Sequence, residues 1–564
     1  MDSFPLFASR AVALPAGASA SAAWPAPLVL TAVQKLLLPL GVLVFDIFFW
    51  NQGVGLNLAL FTLLAVVVLL AGQPKAAWRS GYFRLLLGGT LVACGAVVLY
   101  GSAAAGIACV GSLLMLLGYA NQPHLKLLAL ALLTGLGSAV EVAAGLPRLL
   151  TRPPKWLGQT GRVVWYARLF LVPVAVLAVF HFLFAVANPR YGALAGKVLS
   201  QIGEWLAALL PQLTVLHVLF LLMGLVVTAG VLLRVPVPGL AQWEARFPEF
   251  IRRRRDGVAS FGVRHPNFQA SRFRMADLRK EYLAALAVFG LVNLLLLAVN
   301  VIDVQWLWFG FVPAPGFNLA QFVHEGTYVL IFSILLAMGI VLWFFRRNLN
   351  FYQPGLPALR FGATVWVLQN AVLAVSVGLR NYYYITHMGL AYKRVGVCFF
   401  LLLTLFGLAT ILLKIWQRRS TFSLVRLNSL AAYAVLLALA LGNWEIWIAR
   451  YNLTSKREHP SKNLAHLDLG FLLRMPGRVL PSLLARRAVL NEYQHFGVQN
   501  TYREPARVDL ATAQRMLDAR AAEWRADYEA QASWQDWTYA DWAAYQSLRR
   551  SASAVRAAEP TAAR

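Results

Sequence analysis

Few residues in this chain have the types and spacing to do chemistry, and most of them stand where apolar runs begin or end. His324 and Glu325 open one such run, FVHEGTYVLIFSILLAMGIVLWFFRR. HEGTY starts like the zinc-protease helix HExxH, in which two histidines one turn apart hold the metal and the glutamate acts as base. Position 328 is Tyr, so the second ligand is missing. The chain has no Walker A sequence, no dinucleotide-type glycine run after a strand and no serine in a nucleophile elbow. No catalytic residue, cofactor site or metal site is assigned on this basis. Whether the protein is an enzyme stays open, because a membrane transferase can work with one carboxylate and a basic clamp on a phosphate.

The remaining charges embedded in apolar runs gather at one level once the runs are oriented. Asp303 ends one run, and His324 and Glu325 begin the next. Arg380 with Asn381 and Tyr382–Tyr384 ends another, and Asn443, Glu445 and Arg450 end the last. With the amino terminus inside, Asp46 and Asn51 join them. A charge costs roughly 2.5–3.5 kcal/mol at the bilayer centre and less near its edge. The simplest arrangement therefore pairs Glu325 or Glu445 with Arg380 or Arg450, setting helix register. Two readings of this layer stand side by side. One is a set of interfacial anchors and helix clamps, with Trp306 and Trp308 as an aromatic belt. The other is an outward-facing pocket for a polar or anionic ligand. A proton or ion path would need deeper groups, for which Glu141, His181 and His217 are the candidates.

The elements that must position these residues are transmembrane helices. The 564 residues are 59% hydrophobic and 13% charged, with mean hydropathy +0.60, whereas soluble domains carry about 25% charged residues. The expected fold class is all-α, a polytopic transmembrane helical bundle of eleven or twelve spans with a helical extramembrane tail. The formal net charge is +27. Residues 450–564 hold 17 Lys/Arg and 12 Asp/Glu, so +22 belongs to the membrane part and its loops. That excess favours a bilayer with anionic lipids as partner, not nucleic acid, because the basic residues flank apolar spans. Cys94, Cys109 and Cys398 lie in apolar runs and read as small buried hydrophobes.

Sidedness follows from the basic loops, which stay in the cytoplasm. Residues 303–321 carry no Lys or Arg, and the run after them stops at Arg346 and Arg347, so it crosses inward. Glu325 lies 21 residues before Arg346, about 32 Å along a helix, and hence near the outer surface. Residues 1–27 are Ala- and Pro-rich and read as a disordered lead, not a signal peptide. Residues 28–234 form a first transmembrane half, with runs at 28–50, 56–72, 85–101, 102–118 and 125–145. The last of these, which carries Glu141, is expected to be re-entrant or interfacial, because three runs separate two basic loops. A span at 163–187, an interfacial amphipathic helix at 198–210 and an inward span at 212–233 complete that half. Residues 235–280 are a basic cytoplasmic loop containing Arg252–Arg255. Residues 281–449 form the second half, with spans at 282–302, 323–345, 358–379, 395–416 and 429–449. The tail, 450–564, is then extracytoplasmic and partly helical. Leu510, Leu517 and Trp524 make a stripe with Ala521 and Tyr528. Ser533 with Asp536 resembles a capped helix start, and the aromatic residues after it read as docking onto the outer face of the bundle.

The runs VHEGTYVLIFSILLAMGIVLWFFRRNLNFY, LQNAVLAVSVGLRNYYYITHMGLAYKRVGV and NWEIWIARYNL resemble a family of bacterial polytopic membrane proteins, domain of unknown function 4173. GVLVFDIFFWNQGVGLNLALF and the ANPRYG turn are similar to it as well. The resemblance covers about Asp46 to the tail. It implies a multi-pass protein of the bacterial cytoplasmic (inner) membrane and carries over no site residue.

Three functions follow from these readings. A non-enzymatic scaffold, sensor or assembly factor would meet envelope protein partners through its tail and have its layer charges paired with one another. A transporter would need a cavity to the midplane, with broken helices or inverted repeats, and no repeat is visible. A membrane enzyme on a lipid-linked substrate would place Glu325 at a cavity beside Arg380 or Arg450.

Overall fold

The computed structural model of the chain describes residues 30–71, 80–150, 187–209, 214–233, 237–251, 275–309, 319–346, 348–458, 466–498 and 507–558, with a few single positions between them. The 1–27 lead, the Arg252–Arg255 block and most of the expected span at 163–187 lie outside the described residues. Ten described helices are long and apolar enough to cross a membrane, and a shorter apolar helix spans Leu56–Ala71. The protein is an all-α polytopic bundle.

The chain divides into two compact units. The first comprises residues 1–40 and 139–233. Within it, Gln34 at the start of α1 (Ala32–Phe49) donates to the Leu232 carbonyl near the end of α7 (Val215–Leu233) at 3.1 Å. Helix α6 (Pro189–Leu209) precedes α7, and the Tyr191 hydroxyl meets His181 Nδ1 at 3.1 Å.

The second unit comprises residues 41–138 and 234–564. Small residues let its first helices approach closely, as membrane packing without a hydrophobic driving force requires. Ala59 of α2 (Leu56–Ala71), Ala93 and Ala96 of α3 (Gly81–Tyr100) and Ala105 and Ala108 of α4 (Ala103–Asn121) form one cluster. Cys94 and Cys109 belong to it with their Sγ atoms 3.7 Å apart. Cys398 departs from the expectation of burial and is exposed. Helix α5 (Leu128–Leu150) is continuous, and its residues Leu128–Gly145 have the length and composition of a crossing helix. The suspected re-entrant or interfacial segment is thus a continuous helix, long enough to cross.

Helix α8 (Pro238–Ala245) closes one end of this unit. Its Glu244 accepts from the amides of Lys126 and Leu127, while Glu249 meets Arg426 at 2.8 Å and Lys126 at 3.8 Å. Four long helices carry the opposite end: α9 (Met275–Asp303), α10 (Leu319–Phe344), α11 (Leu356–Met388) and α12 (Tyr392–Gln417). Phe289, Ile334, Phe345, Leu359, Trp366 and Ile415 fill the core between them.

Two helix ends differ from the sequence reading. Helix α11 runs nine residues past Leu379, so Arg380 and Asn381 lie inside it and do not terminate it. Their side chains find partners, described below, and the backbone ladder continues. The expected last span, 429–449, is two helices. Helix α13 (Thr421–Leu441) stops at Gly442, whose backbone is extended, and α14 (Trp444–Asn452) starts anew. The Ser420 hydroxyl accepts from the Ser423 amide and fixes the earlier start.

The tail builds its core directly on α14. Ile448, Ala449 and Leu453 pack with Leu467, Leu472, Val479, Leu490, Phe496 and Leu517. It contains a small sheet the sequence did not signal: β1 (His466–Asp468) pairs parallel with β2 (His495–Gly497), and β2 antiparallel with β3 (Arg507–Val508). Short helices α15 (Leu469–Leu473) and α16 (Leu480–Ala485) intervene. Helices α17 (Leu510–Gln531) and α18 (Tyr539–Ala558) follow. Leu517 is buried, with Ala521 and Trp524 packed beside the same core. Ser533 does bond Asp536, but the helix is capped five residues later, where the Thr538 hydroxyl accepts from the Asp541 amide at 3.2 Å and donates to the Asp541 carboxylate at 2.7 Å.

Candidate functional site

The candidate site lies where the tail meets the ends of α9 to α14. Its centre is an ion pair. Arg380 Nη2 donates to Asp303 Oδ1 at 2.6 Å, with Arg380 8% and Asp303 5% exposed. Asp303 is thus a partner the sequence reading did not name, and the expected partner Glu325 has its side chain outside the described residues. Asp303 is the last residue of α9, and a π turn, Val304–Trp308, continues it. That turn is tied to α11 by Trp308 Nε1 to Ser376 Oγ at 2.9 Å and by Tyr383 OH to the Leu307 carbonyl at 3.1 Å. The pairing follows from placement: the turn holds Asp303 against the same face of α11 that carries Arg380. On its other side the guanidinium lies against α10, where a Cβ at Gly326 would come within 2.9 Å of Nη1.

The remaining layer residues fall into different settings. Asn381 Nδ2 donates to the Arg394 carbonyl at 3.0 Å and to Cys398 Sγ at 3.2 Å, joining α11 to the head of α12. Asn443 is the N-cap of α14 but makes no side-chain capping bond. Glu445, in the first turn of α14, is 6% exposed and its Oε2 has no hydrogen-bond partner. A carboxylate there complements the helix dipole, and it lies within electrostatic reach of Tyr392. Arg450 is exposed at the end of the same helix. His324 and Glu325 belong to α10, but their side chains lie outside the described residues. The structure thus brings Asp303, Arg380 and Asn381 together, and places Asn443, Glu445 and Arg450 on a separate short helix.

Below the ion pair runs a polar seam that sequence reasoning missed. Asn293 donates to the Gly362 carbonyl at 2.9 Å, Asn300 to the Gln369 carbonyl at 3.0 Å, and Gln369 Nε2 to Asn293 Oδ1 at 3.0 Å. Asn300 Oδ1, Gln369 Oε1 and Asp303 Oδ2 have no hydrogen-bond partner among the described residues. The signal was available: Asn293 and Asn300 on one run, and Gln369 and Ser376 on another, share a spacing of seven. That spacing places each pair on one helix face.

Beside the ion pair, a cavity of about 460 Å³ opens at the head of α12. Thr327, Asn381, Tyr392, Lys393, Arg394 and Phe471 contribute to its wall. Arg394 lies over the Tyr384 ring at 4.1 Å and donates to the Met388 carbonyl at 2.9 Å and to that of Gly389. Among the described residues no three His, Cys, Asp or Glu side chains converge as a metal site would require.

The fold and this layer define a polytopic helical membrane protein with a polar, partly buried face under an extramembrane tail. Residues 82–484 match the family described as Domain of unknown function (DUF4153), and the chain belongs to that family. The match supports a family of unknown function, but a different one from domain 4173. Neither a curated protein nor a solved structure matches the chain.

Proposed function

We propose that this chain is a non-enzymatic scaffold, sensor or assembly factor of the bacterial inner membrane, with its tail-side face outside the cytoplasm. One observation carries the reading: the tail is fastened to the bundle at both ends. At its start the tail core absorbs Ile448, Ala449 and Leu453 of α14. Near its end the chain returns to the α1–α2 turn, where the Leu56 amide donates to the Trp537 carbonyl at 3.0 Å and that of Asn57 to Gln535 at 2.8 Å. Trp534 meets Phe48 edge to face at 5.3 Å. A platform so held suits the presentation of a surface to envelope proteins. Arg418, Arg419 and Arg426 stand at the opposite ends of the helices, as the charge rule requires of a cytoplasmic side.

The test compares two variants in cells that lack the native chain, with membrane levels checked. Gly55→Val, which displaces the returning tail, is expected to abolish the cellular phenotype. The double variant Asp303→Asn/Arg380→Gln is expected to keep it. The opposite pattern would reject the scaffold in favour of chemistry or transport at the ion pair.

A second reading, transport of a proton or cation, is favoured by the partnerless acceptors along the Asn293–Asp303 seam. It expects Asn300→Leu to abolish a pH- or ion-gradient-driven flux in reconstituted vesicles, a flux the scaffold reading does not expect at all.

A further inference from the structure

We propose that the cavity at the head of α12 binds the phosphate of an anionic lipid headgroup. The inference stands apart from the scaffold reading and rests on four features of one place. The first is the helix start. Ala391 caps this 26-residue helix without a side-chain acceptor; the Arg394 amide returns to the Ala391 carbonyl at 3.0 Å, which leaves the amides of the cavity-lining Tyr392 and Lys393 with no side-chain cap. Such amides and the helix dipole together attract anions. The second feature is charge. Lys393 and Arg394 stand in that first turn, where the dipole disfavours cations. Arg394 has a structural reason, since it donates to the Met388 and Gly389 carbonyls at the end of α11. Lys393 is exposed and enters no ion pair among the described residues. Among the described residues no carboxylate lines the cavity. An anion between Lys393 and the amides would turn this unfavourable placement into a favourable one.

The third feature is independent of the helix start. Thr327, on the facing helix α10, lines the cavity, is 4% exposed, and its hydroxyl has no hydrogen-bond partner. A helical threonine normally returns its hydroxyl to a carbonyl one turn back, as Thr404 does to Phe400 at 2.9 Å. A buried hydroxyl left unpaired costs stability unless a ligand satisfies it. The fourth feature selects the source of the phosphate. Val397 and Phe471 complete the wall, and Tyr328, Phe332 and Met388 nearby are exposed. A phosphate carried on a diacyl lipid satisfies the polar wall and lays its chains along that apolar surface, which a free anion does not use.

The experiment uses the full chain purified in a zwitterionic detergent. It is titrated with phosphatidylglycerol, phosphatidylcholine or inorganic phosphate, and is followed by thermal unfolding and by native mass spectrometry of retained lipid. Phosphatidylglycerol is expected to raise the unfolding temperature and to be retained, and phosphatidylcholine is not. Lys393→Gln is expected to weaken retention about tenfold, as loss of a charge-assisted contact does, and Lys393→Arg to restore it. Thr327→Val should weaken it less. Lys280→Gln, an exposed charge at the other end of α9, should leave it unchanged. Equal retention of the two lipids, or equal loss in Lys280→Gln and Lys393→Gln, would overturn the site. Protection by inorganic phosphate equal to that by phosphatidylglycerol would overturn the lipid as its source.

Discussion

Asp303, at the end of α9, meets Arg380, inside α11, through a 2.6 Å contact, and each is at least nine-tenths buried. Removing Arg380 leaves the Asp303 carboxylate buried without this cation, and removing Asp303 takes this charge-assisted bond from the buried guanidinium; breaking a buried pair from one side costs about 3–5 kcal/mol. Removing both leaves no charge, and buried pairs replaced together are often close to neutral. Asp303→Asn and Arg380→Gln are therefore each expected to be strongly destabilising, and the double variant much less so. Unfolding titrations of the four proteins in mixed micelles measure this, and additive losses would contradict it.

Glu244 gives the stability a pH dependence. Its carboxylate accepts from the Lys126 amide at 3.0 Å and from the Leu127 amide at 2.8 Å. Burial pushes its pKa above the ordinary 4.5 and outweighs these bonds, which pull it down. The folded protein thus holds this proton to higher pH than the unfolded chain. Its contribution is complete below about 4.5 and is lost as pH rises through the raised value. Thermal unfolding across this window should show falling stability for the native chain and a flatter profile for Glu244→Gln. Identical slopes would remove Glu244 as the cause.

Gly55 allows the tail to reach the α1–α2 turn. A Cβ there would strike the backbone of Asp536 and come within 2.8 Å of the Trp537 carbonyl oxygen. Gly55→Ala must push the tail away or distort the turn, at a cost of about 1–3 kcal/mol. Limited proteolysis should cut the 532–538 segment faster in the variant, and unchanged cleavage would show that the segment is held elsewhere.

Asn452 staples the loop before α12 to the end of α14. Its Oδ1 accepts from the Leu390 amide at 2.6 Å, and its Nδ2 donates to the Leu390 carbonyl at 2.9 Å. Asn452→Ala leaves both groups unpaired and should cost about 1–3 kcal/mol. Asn452→Asp keeps the acceptor but sets a buried carboxylate oxygen against the Leu390 carbonyl, and should not restore the stability. Amide exchange at Leu390 reports the loss directly, and native protection in Asn452→Ala would refute the staple.

The sequence by itself determined the class of fold, because apolar runs of bilayer length have one way to satisfy their backbone. It also determined the order of the helices that hold the ion pair, since Asp303 and Arg380 each interrupt an apolar run. What it left undecided concerns partners. A chain reading expects Asp303, Glu325, Glu445, Arg380 and Arg450 at one level, but does not say which two touch. The π turn after Asp303 and the extra turns of α11 decided that, by setting the register between neighbouring faces. The short strands at 466–468 and 495–497 were not legible either, since three-residue segments carry too little periodicity to register. The break at Gly442 and the cavity at the head of α12 likewise arise only where separate helices meet. A cavity is space that several elements leave unfilled together, so no single stretch of residues encodes it.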